Sequence, residues 1–216
     1  VDVLTDALDI PVWLENEANL SALAEKTFVE NHKNLIHVSI HAGVGAGIIL
    51  DHHLYTGFAG TAGEAGHMIV QPGGRSCPCG NHGCLEQYIS EPAVLSRYQE
   101  LSGRTTVSID DLVWSYNQQE ADALAVVDEF TTYLACGINN LWNLFSPECI
   151  ILNSRLTAYL PQLLPEILQK LSARFRATCQ LKLSTLQDTG VLLGAARVCI
   201  SKYLGIEKLY FSGFQP

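Results

Sequence analysis

The sequence predicts an α/β fold, and two observations carry this prediction. The 216 residues are 48% hydrophobic and 16% charged, which is enough apolar material for one sizeable core or two modest ones and too little charge for a disordered chain. Along the chain, short β-rich runs alternate with segments whose apolar residues recur at helical spacing. Strands that alternate with helices are typical of the α/β class.

The first predicted elements are a short strand at residues 10–15 and an amphipathic helix at residues 17–30. The helix is predicted because its apolar residues recur every three or four positions. Asn16 and Glu17 therefore lie at a strand-to-helix junction, where an asparagine can simply cap the helix.

A glycine-rich hairpin is predicted next. Two β-rich runs, residues 36–41 and 46–50, flank the glycine-containing residues 43–45, and residues 51–53 resemble a second turn. The two runs are therefore expected to pair as neighbouring strands.

The remaining elements continue the alternation. Residues 121–145 predict a long, mostly buried helix that ends before Pro147, because proline cannot continue a helix. The other predicted elements are helices at residues 92–101, 109–116, 161–175 and 190–204, and strands at residues 149–152 and 181–185.

A metal site is predicted in the middle of the chain, where the sequence reads H-x9-C-x-C-x4-C and a carboxylate follows two residues later. Three thiolates and one imidazole are a complete ligand set for a closed, tetrahedral zinc site. Because no coordination position remains open, we expect a structural zinc ion. The predicted ligands are His67, Cys77, Cys79 and Cys84, and the carboxylate is that of Glu86.

Other interpretations of the cysteines remain open at this point. The clustered cysteines can form a disulfide, but their proximity to a histidine in a chain with no secretory signature favours a metal. Gly80 and Gly83 permit the positive φ angles of a short metal-binding loop. The remaining cysteines are interpreted as small buried residues; they are Cys136, Cys149, Cys179 and Cys199.

Charge and hydropathy exclude some classes of partner. A net charge of −9 opposes binding to a phosphate backbone, so this chain alone is not expected to bind DNA. No basic segment precedes a long apolar block, and the longest apolar runs are too short to span a bilayer. We therefore expect a cytoplasmic protein with no membrane partner. Because the chain lacks an initiator methionine, we also expect a further segment before Val1.

Five motifs resemble the ROK family, which groups sugar-responsive transcriptional repressors with sugar kinases. The resemblance extends through almost the whole chain, and the cysteine loop together with G-E-x-G-H is its most specific part. The motifs are LENEANLSALAE (14–25), AGVGAGII (42–49), GEAGHM (63–68), CPCGNHGCLE (77–86) and NLFSP (143–147).

The resemblance implies an actin-like, ribonuclease-H-like α/β fold with two lobes around a sugar cleft. Residues 1–35 are then the C-terminal end of the first lobe. Residues 36–216 are the second lobe, with a structural zinc loop at residues 67–84 and an oligomerisation region. Regulators of the family usually form homodimers or homotetramers through this lobe, so the helix ending near Phe145 and the last helix are candidate interfaces, with core filling as the alternative.

The resemblance also implies the sugar-binding residues, which are Asn16, Glu17, Glu64, His67 and Glu86. In the kinases, the residue matching Glu17 is an aspartate that acts as general base. The residue matching His67 contacts sugar and binds zinc, because one imidazole nitrogen can hold a metal while the other faces a ligand. Ionised carboxylates suit sugar hydroxyls because they accept protons without competing for donors. Without the resemblance, Glu64 and Glu86 would be interpreted as solvated surface carboxylates.

Three departures from the kinases favour sensing over catalysis. Glu17 is one methylene longer than aspartate, and displacing a base by about 1 Å can cost roughly a hundredfold in rate. The kinases' second phosphate loop usually reads G-T-G-x-G, whereas residues 41–45 read HAGVG and lack the hydroxyl. Asn153 and Ser154 replace a pair of glycines that accommodates the nucleoside.

The glycines of the hairpin are a weak phosphate signal once that hydroxyl is lost. A hairpin turn with a bulge is the favoured interpretation of Gly43, Gly45 and Gly47. The preferred function is the effector-sensing and dimerisation region of a regulator of the xylose-repressor or N-acetylglucosamine-repressor kind. Its effector is a monosaccharide or sugar phosphate, and it contacts DNA only through an N-terminal domain absent from this chain.

Two other functions remain open. One is an ATP-dependent sugar kinase, similar to glucokinase or fructokinase, with Glu17 as general base. The other is a zinc-stabilised module that binds a sugar-transport protein through its surface.

Overall fold

The computed structural model describes residues 1–206 and 209–210. Within them one five-stranded sheet has the order β3-β2-β1-β4-β5. The β1–β2 and β2–β3 pairs are antiparallel, whereas β1–β4 and β4–β5 are parallel. The predicted glycine-rich hairpin and the α/β class are confirmed. The strands are β1 (Leu35–Ile40), β2 (Val44–Leu50), β3 (His53–Leu54), β4 (Cys149–Ser154) and β5 (Gln180–Leu183).

Ten α-helices accompany the sheet in the described part of the chain. They are α1 (Asp2–Leu8), α2 (Glu17–Ala24), α3 (Glu86–Ile89), α4 (Glu91–Ser102), α5 (Ile109–Asn117), α6 (Ala121–Phe145), α7 (Arg155–Tyr159), α8 (Leu163–Lys170), α9 (Ala173–Thr178) and α10 (Thr189–Leu204). A π-helical turn, Glu25–Val29, extends α2, so the helix predicted at residues 17–30 is confirmed.

Helices cover both faces of the sheet. Alternate residues of the buried strand β1 point to opposite sides, so each face presents apolar side chains that a helix can cover. Ile36 and Val38 belong to the main core, in which α6 contributes Phe130 and Leu134. Leu35 faces the other way, into a smaller cluster formed with α2.

Helix α2 lies directly on strand β2. A Cβ atom on Gly47 would be 2.2 Å from the backbone oxygen of Ala18 and 2.4 Å from the Cβ of Ala22. Only glycine permits this approach, since side-chain atoms cannot overlap backbone atoms. The contact fixes the N-terminus of α2 beside the β1–β2 turn.

Two sequence-based expectations are wrong in their details. Residues 10–15 do not form a strand, because no neighbouring strand of the described chain pairs with them and Pro11 lacks an amide donor. Residues 161–175 do not form one helix. They divide into α8 and α9, because Ser172 caps α9 by accepting the backbone N–H of Phe175 at 3.1 Å.

The degree of burial differs among the remaining cysteines and between the two candidate interface helices. Cys149 and Cys179 are buried as expected, but Cys136 is only partly buried and Cys199 is exposed, so the expectation fails for these two. Helix α6 fills the core with eleven buried residues, whereas in α10 only Gly190 and Gly194 are buried.

Within the described residues, no helix combines the length and the apolar character that crossing a bilayer would require.

Candidate functional site

The structure brings all four predicted metal ligands together. The ligand atoms of His67, Cys77, Cys79 and Cys84 lie within 4.8 Å of one another. The two sulfurs of Cys79 and Cys84 are 3.6 Å apart, and Nδ1 of His67 is 3.7 Å from the sulfur of Cys77. Tetrahedral bonds of about 2.3 Å to sulfur and 2.0–2.1 Å to nitrogen would separate such atoms by roughly 3.5–3.8 Å. The cluster therefore fits one tetrahedral metal ion.

The loop that carries these ligands, residues 67–84, depends on glycine. Gly83 has a φ of +82°, and a Cβ atom there would lie 1.7 Å from the backbone oxygen of Gln71. Short antiparallel bridges, Ile69 with Cys84 and Ser76 with His82, close the loop. The sequence-based expectation of a compact loop built on glycine is confirmed at this residue.

The thiols of the cluster differ in their surroundings. Burial raises the pKa of the Cys84 thiol to about 12. The backbone N–H of Asn81 lowers the pKa of the Cys79 thiol. The side-chain amide of Gln87 donates to the Cys77 sulfur at 3.7 Å. Because a metal binds thiolates, a metal ion must displace a proton from Cys84, and its affinity must rise with pH.

Beside this loop lies a cleft of about 270 Å³, which contains four of the five predicted sugar-contact residues. These residues are Asn16, Glu17, Glu64 and Glu86. His67 does not line the cleft, but its Nε2 atom is 3.9 Å from a carboxylate oxygen of Glu64. The metal cluster and the cleft are thus joined through one imidazole, with Nδ1 towards the cysteines and Nε2 towards Glu64.

The N-terminus of α2 forms one wall of the cleft. Asn16 caps the helix, because its Oδ1 accepts the backbone N–H of Ala18 at 2.8 Å, so the capping interpretation is confirmed. Glu15 supports the cap by accepting the N–H of Asn16 and the side-chain amide of Asn19, at 2.9 and 2.8 Å. Glu17 is exposed in the first helical turn, where its charge suits the helix dipole.

The opposite wall is formed by two carboxylates on either side of the metal loop. Glu86 is partly buried and accepts the backbone N–H of Val44 at 3.0 Å, so it ties the metal loop to the β1–β2 turn rather than extending into solvent. Glu64 is 60% exposed. It follows Gly63, whose carbonyl accepts the N–H of Ala46 at 2.8 Å, and this bond fixes the start of the loop against β2.

Two polar side chains of the cleft were not among the predicted site residues. Ser39 and His41 lie at the end of β1 and line the cleft. The Oγ atom of Ser39 is buried and has no hydrogen-bond partner among the described residues, which suggests a ligand or a bound water. The available signal was a hydroxyl and an imidazole at the carboxyl end of a mostly apolar strand, where α/β sheets commonly bind ligands.

The glycines of the turn are explained by packing. Gly47 supports α2, and a Cβ on Gly45 would lie 3.3 Å from the Cβ of Ala18. The turn interpretation is confirmed, although β1 and β2 pair in continuous register without the expected bulge.

The two residues that stand where the resemblance implies a pair of glycines fill the end of β4. Asn153 and Ser154 are both buried, and the side-chain amide of Asn153 donates to the Gln187 carbonyl at 3.4 Å. The cavity next to them measures about 90 Å³, far below the roughly 300–1,000 Å³ of pockets for larger ligands.

A larger cavity of about 650 Å³ lies elsewhere, between α2, α10 and β3. Its lining includes Leu23, His52 and Arg197, and it contains none of the predicted site residues. It also borders Ile206, the last residue before a part of the chain that the structure does not describe. Chemistry rather than volume therefore identifies the cleft as the candidate site.

Comparison with known proteins gives a consistent result. A family model described as "ROK family" matches residues 1–202. A xylose repressor of Bacillus spizizenii is 35% identical over 212 residues, which are 95% of this chain and 55% of that protein. The chain therefore spans about half the length of the curated repressor that it matches.

Two solved structures share the fold. One is a ROK family transcriptional regulator described as a homologue of the E. coli MLC protein, with 31% identity, a TM-score of 0.80, and coverage of 94% of this chain and 55% of that chain. The other is a ROK family glucokinase from Streptomyces griseus in complex with glucose and AMPPNP, with 25% identity, a TM-score of 0.79, and coverage of 91% and 70%. The mixed sheet matches those of both proteins.

Proposed function

Because this chain belongs to the ROK family, we propose that it is the effector-sensing and dimerisation region of a transcriptional regulator. The observation that carries the proposal is the convergence of Asn16, Glu17, Glu64 and Glu86 on one cleft beside the metal cluster. Similarity to a xylose repressor and to a ROK transcriptional regulator supports regulation.

The lobe organisation is part of the same proposal. Residues 1–35 are the end of a first lobe and residues 36–216 a second lobe of an actin-like, ribonuclease-H-like fold. Support comes from the sheet, which contains every described strand and begins at Leu35. Helix α2 packs on that sheet from the N-terminal segment, so movement of a preceding lobe would be transmitted to the cleft through α2.

The effector that best suits the cleft is an unphosphorylated monosaccharide. Glu17, Glu64 and Glu86 provide three carboxylates, which accept hydrogen bonds from sugar hydroxyls. The same three charges would repel a phosphate group, and the lining contains no lysine or arginine to offset them. A neutral sugar is therefore preferred over a sugar phosphate.

We assign zinc to the metal cluster, held by His67, Cys77, Cys79 and Cys84. A borderline ion with tetrahedral preference matches three sulfurs and an imidazole. With Nδ1 towards the ion, His67 is oriented so that Nε2 faces Glu64. The ion is structural, and its role is to hold one wall of the cleft.

Regulation requires that the sugar favour one arrangement of the two lobes, because a ligand shifts a conformational equilibrium only by its differential affinity. DNA contact is assigned to an N-terminal domain outside this chain. For dimerisation, α10 is the better candidate than α6, because α6 has eleven buried residues, whereas in α10 only Gly190 and Gly194 are buried and Leu192 and Tyr203 are exposed. Size-exclusion chromatography with light scattering should show a dimer or tetramer, and a monomer at micromolar concentration would contradict this part.

Isothermal titration calorimetry of the full-length, zinc-loaded protein against common monosaccharides and their phosphates tests the proposal. We expect saturable binding of at least one unphosphorylated sugar and none of its phosphate. A coupled phosphorylation assay with ATP separates sensor from kinase. Turnover that disappears in Glu17→Gln would establish the kinase alternative, which the similarity to a glucokinase keeps open.

A further inference from the structure

A second depression, here called the groove, meets the cleft at Glu86. The groove has a volume of about 370 Å³ and shares Ala42 and Glu86 with the lining of the cleft. The cleft alone measures about 270 Å³, slightly below the usual range of roughly 300–1,000 Å³ for ligand pockets. The cleft suits one sugar ring, and the groove offers a space of at least that size directly beside it.

The walls of the groove are held in place by the protein itself. Arg75 from the metal loop and Arg97 from α4 both donate to the carboxylate of Glu129, at 2.5 and 3.1 Å. The guanidinium group of Arg75 also lies over the ring of Tyr88, 4.5 Å from its centroid. Side chains fixed in this way lose little conformational entropy when a ligand binds.

The charge of the groove selects against an anion. Two guanidinium groups, Arg75 and Arg97, lie among the three carboxylates of Glu86, Glu100 and Glu129. The positive charges are therefore already neutralised, and a phosphate or carboxylate would gain no net attraction. The groove therefore contains both donors (the guanidinium groups) and acceptors (the carboxylates), with one negative charge in excess. Such a surface suits hydroxyl groups, which both donate and accept.

We infer that the cleft and the groove together bind a neutral disaccharide or longer glycoside, with one ring in the cleft and the next ring in the groove. This inference rests on the proposed function, because the first ring requires a sugar-binding cleft. Ala42 and Glu86, which both depressions share, lie at the position of the glycosidic linkage. Glu86 then contacts both rings, whereas Ser96 and Arg97 of α4 contact only the second.

A tryptophan in the groove provides the test. Ser96 is exposed on α4 and lines the groove, so Ser96→Trp fills the groove without disturbing the core. Leu101→Trp is the matched control, because Leu101 is exposed on the same helix and does not line the groove. Titration calorimetry of the full-length proteins compares xylose with xylobiose and glucose with cellobiose.

We expect at least one disaccharide to bind at least tenfold more tightly than its monosaccharide. Ser96→Trp should remove that difference and leave monosaccharide affinity unchanged, and Leu101→Trp should retain it. Equal affinity for both lengths, or a difference that survives in Ser96→Trp, would overturn this inference and leave the monosaccharide site in place. Absence of binding by every sugar would overturn both the inference and the proposed function.

Discussion

Glu64 is a cleft carboxylate with a small structural role in the protein itself. Its side chain is 60% exposed and approaches the imidazole of His67, at 3.9 Å. Replacing it with glutamine should therefore affect ligand binding far more than folding. A hydrogen bond to a charged group contributes about 1.5–3 kcal/mol, so Glu64→Gln should weaken sugar binding roughly 10–100-fold in titration calorimetry, with an unchanged Tm.

A control is needed for the change in total charge. Asp122→Asn makes the same change at an exposed position in the first turn of α6, outside the residues that line the cleft. If Asp122→Asn weakened sugar binding as much as Glu64→Gln, direct contact between Glu64 and the sugar would be disproved.

A substitution of Cys84 tests whether the cluster binds a metal ion. Cys84 is fully buried within the cluster, whereas Cys199 is exposed and outside it. Cys84→Ser should lower the zinc content from one equivalent to well below one, measured by mass spectrometry of the native protein. A ligand present at 100 times its Kd stabilises the fold by about 2.7 kcal/mol, so the loss of zinc should lower Tm by roughly 5–10 °C.

The serine variant of Cys199 should retain both zinc and Tm. Wild-type protein purified with no metal and an intact fold would contradict the assignment. Since the metal loop carries His67 and precedes Glu86, loss of zinc should also weaken sugar binding.

At the scale of residues, the sequence was enough to predict side chains that belong to a recognisable motif. It was not enough to predict side chains whose role depends on where the fold places them. The spacing of the cysteines is enough to predict their cluster, and short motifs point to Glu64 and Glu86. Ser39 was missed because its importance depends on the face of β1 towards which it points and on the lack of a hydrogen-bond partner. Both properties arise only when β1 is placed between β2 and β4.

At the scale of elements, the close packing of α10 on α2 determines where the N-terminus of α2 lies. A Cβ atom on Gly194 would lie 2.0 Å from the backbone oxygen of Leu20, whereas one on Gly190 would have no neighbour closer than 3.6 Å. Gly194→Ala should therefore force the helices apart and destabilise the protein by about 1–3 kcal/mol, the usual cost of overpacking.

Gly190→Ala is the matched control one turn earlier on α10. It should be neutral or stabilising by up to about 1 kcal/mol, because alanine favours helix and the space is available. Denaturant unfolding of the two variants measures the difference. Equal stabilities would show that α10 does not pack on α2 as described.

The π-helical turn after α2 begins at Glu25, a buried carboxyl that accepts a hydrogen bond from Ser184. Burial raises the pKa of Glu25 from 4.5 to about 7, against the lowering effect of the Ser184 hydroxyl, and nearby Glu30 raises it further. The folded protein thus retains this proton to a higher pH than the unfolded chain. The stability from this group is present below about pH 4.5 and is lost as the pH rises to about 7.

Glu25→Gln should remove this loss, because the amide is neutral at every pH. The variant should match the wild type near pH 4.5 and exceed its stability at pH 8 by up to about 3 kcal/mol. Thermal unfolding from pH 4.5 to pH 8 measures the difference between the two proteins. The variant must be compared with the wild type at each pH, because buried His37 is present in both proteins and changes stability with pH in the opposite direction. Burial lowers the pKa of His37 to about 3. A pH-independent difference would disprove the assignment.

The elements themselves were largely predictable from periodicity, and the failures have specific causes. Residues 10–15 have strand-like composition, but a strand exists only where another strand pairs with it. The break between α8 and α9 depends on the cap at Ser172, which outweighs the continuing apolar pattern. In both places a local signal was overridden by hydrogen bonds that periodicity does not report.

At the scale of the whole molecule, the central claim is that a sugar in the cleft changes the affinity of the complete protein for DNA. The cleft is formed by the N-terminus of α2, the β1–β2 turn and the residues that flank the metal loop, so a bound sugar connects segments that are far apart in the sequence. Coupling between two sites of this kind is typically about 5–150-fold.

Fluorescence anisotropy of the full-length protein on its operator DNA, with and without sugar, measures this coupling directly. We predict that the sugar identified by calorimetry changes the operator affinity at least fivefold, and that the change is lost in Glu64→Gln while DNA binding without sugar is retained. An operator affinity that is the same with and without saturating sugar would contradict the account.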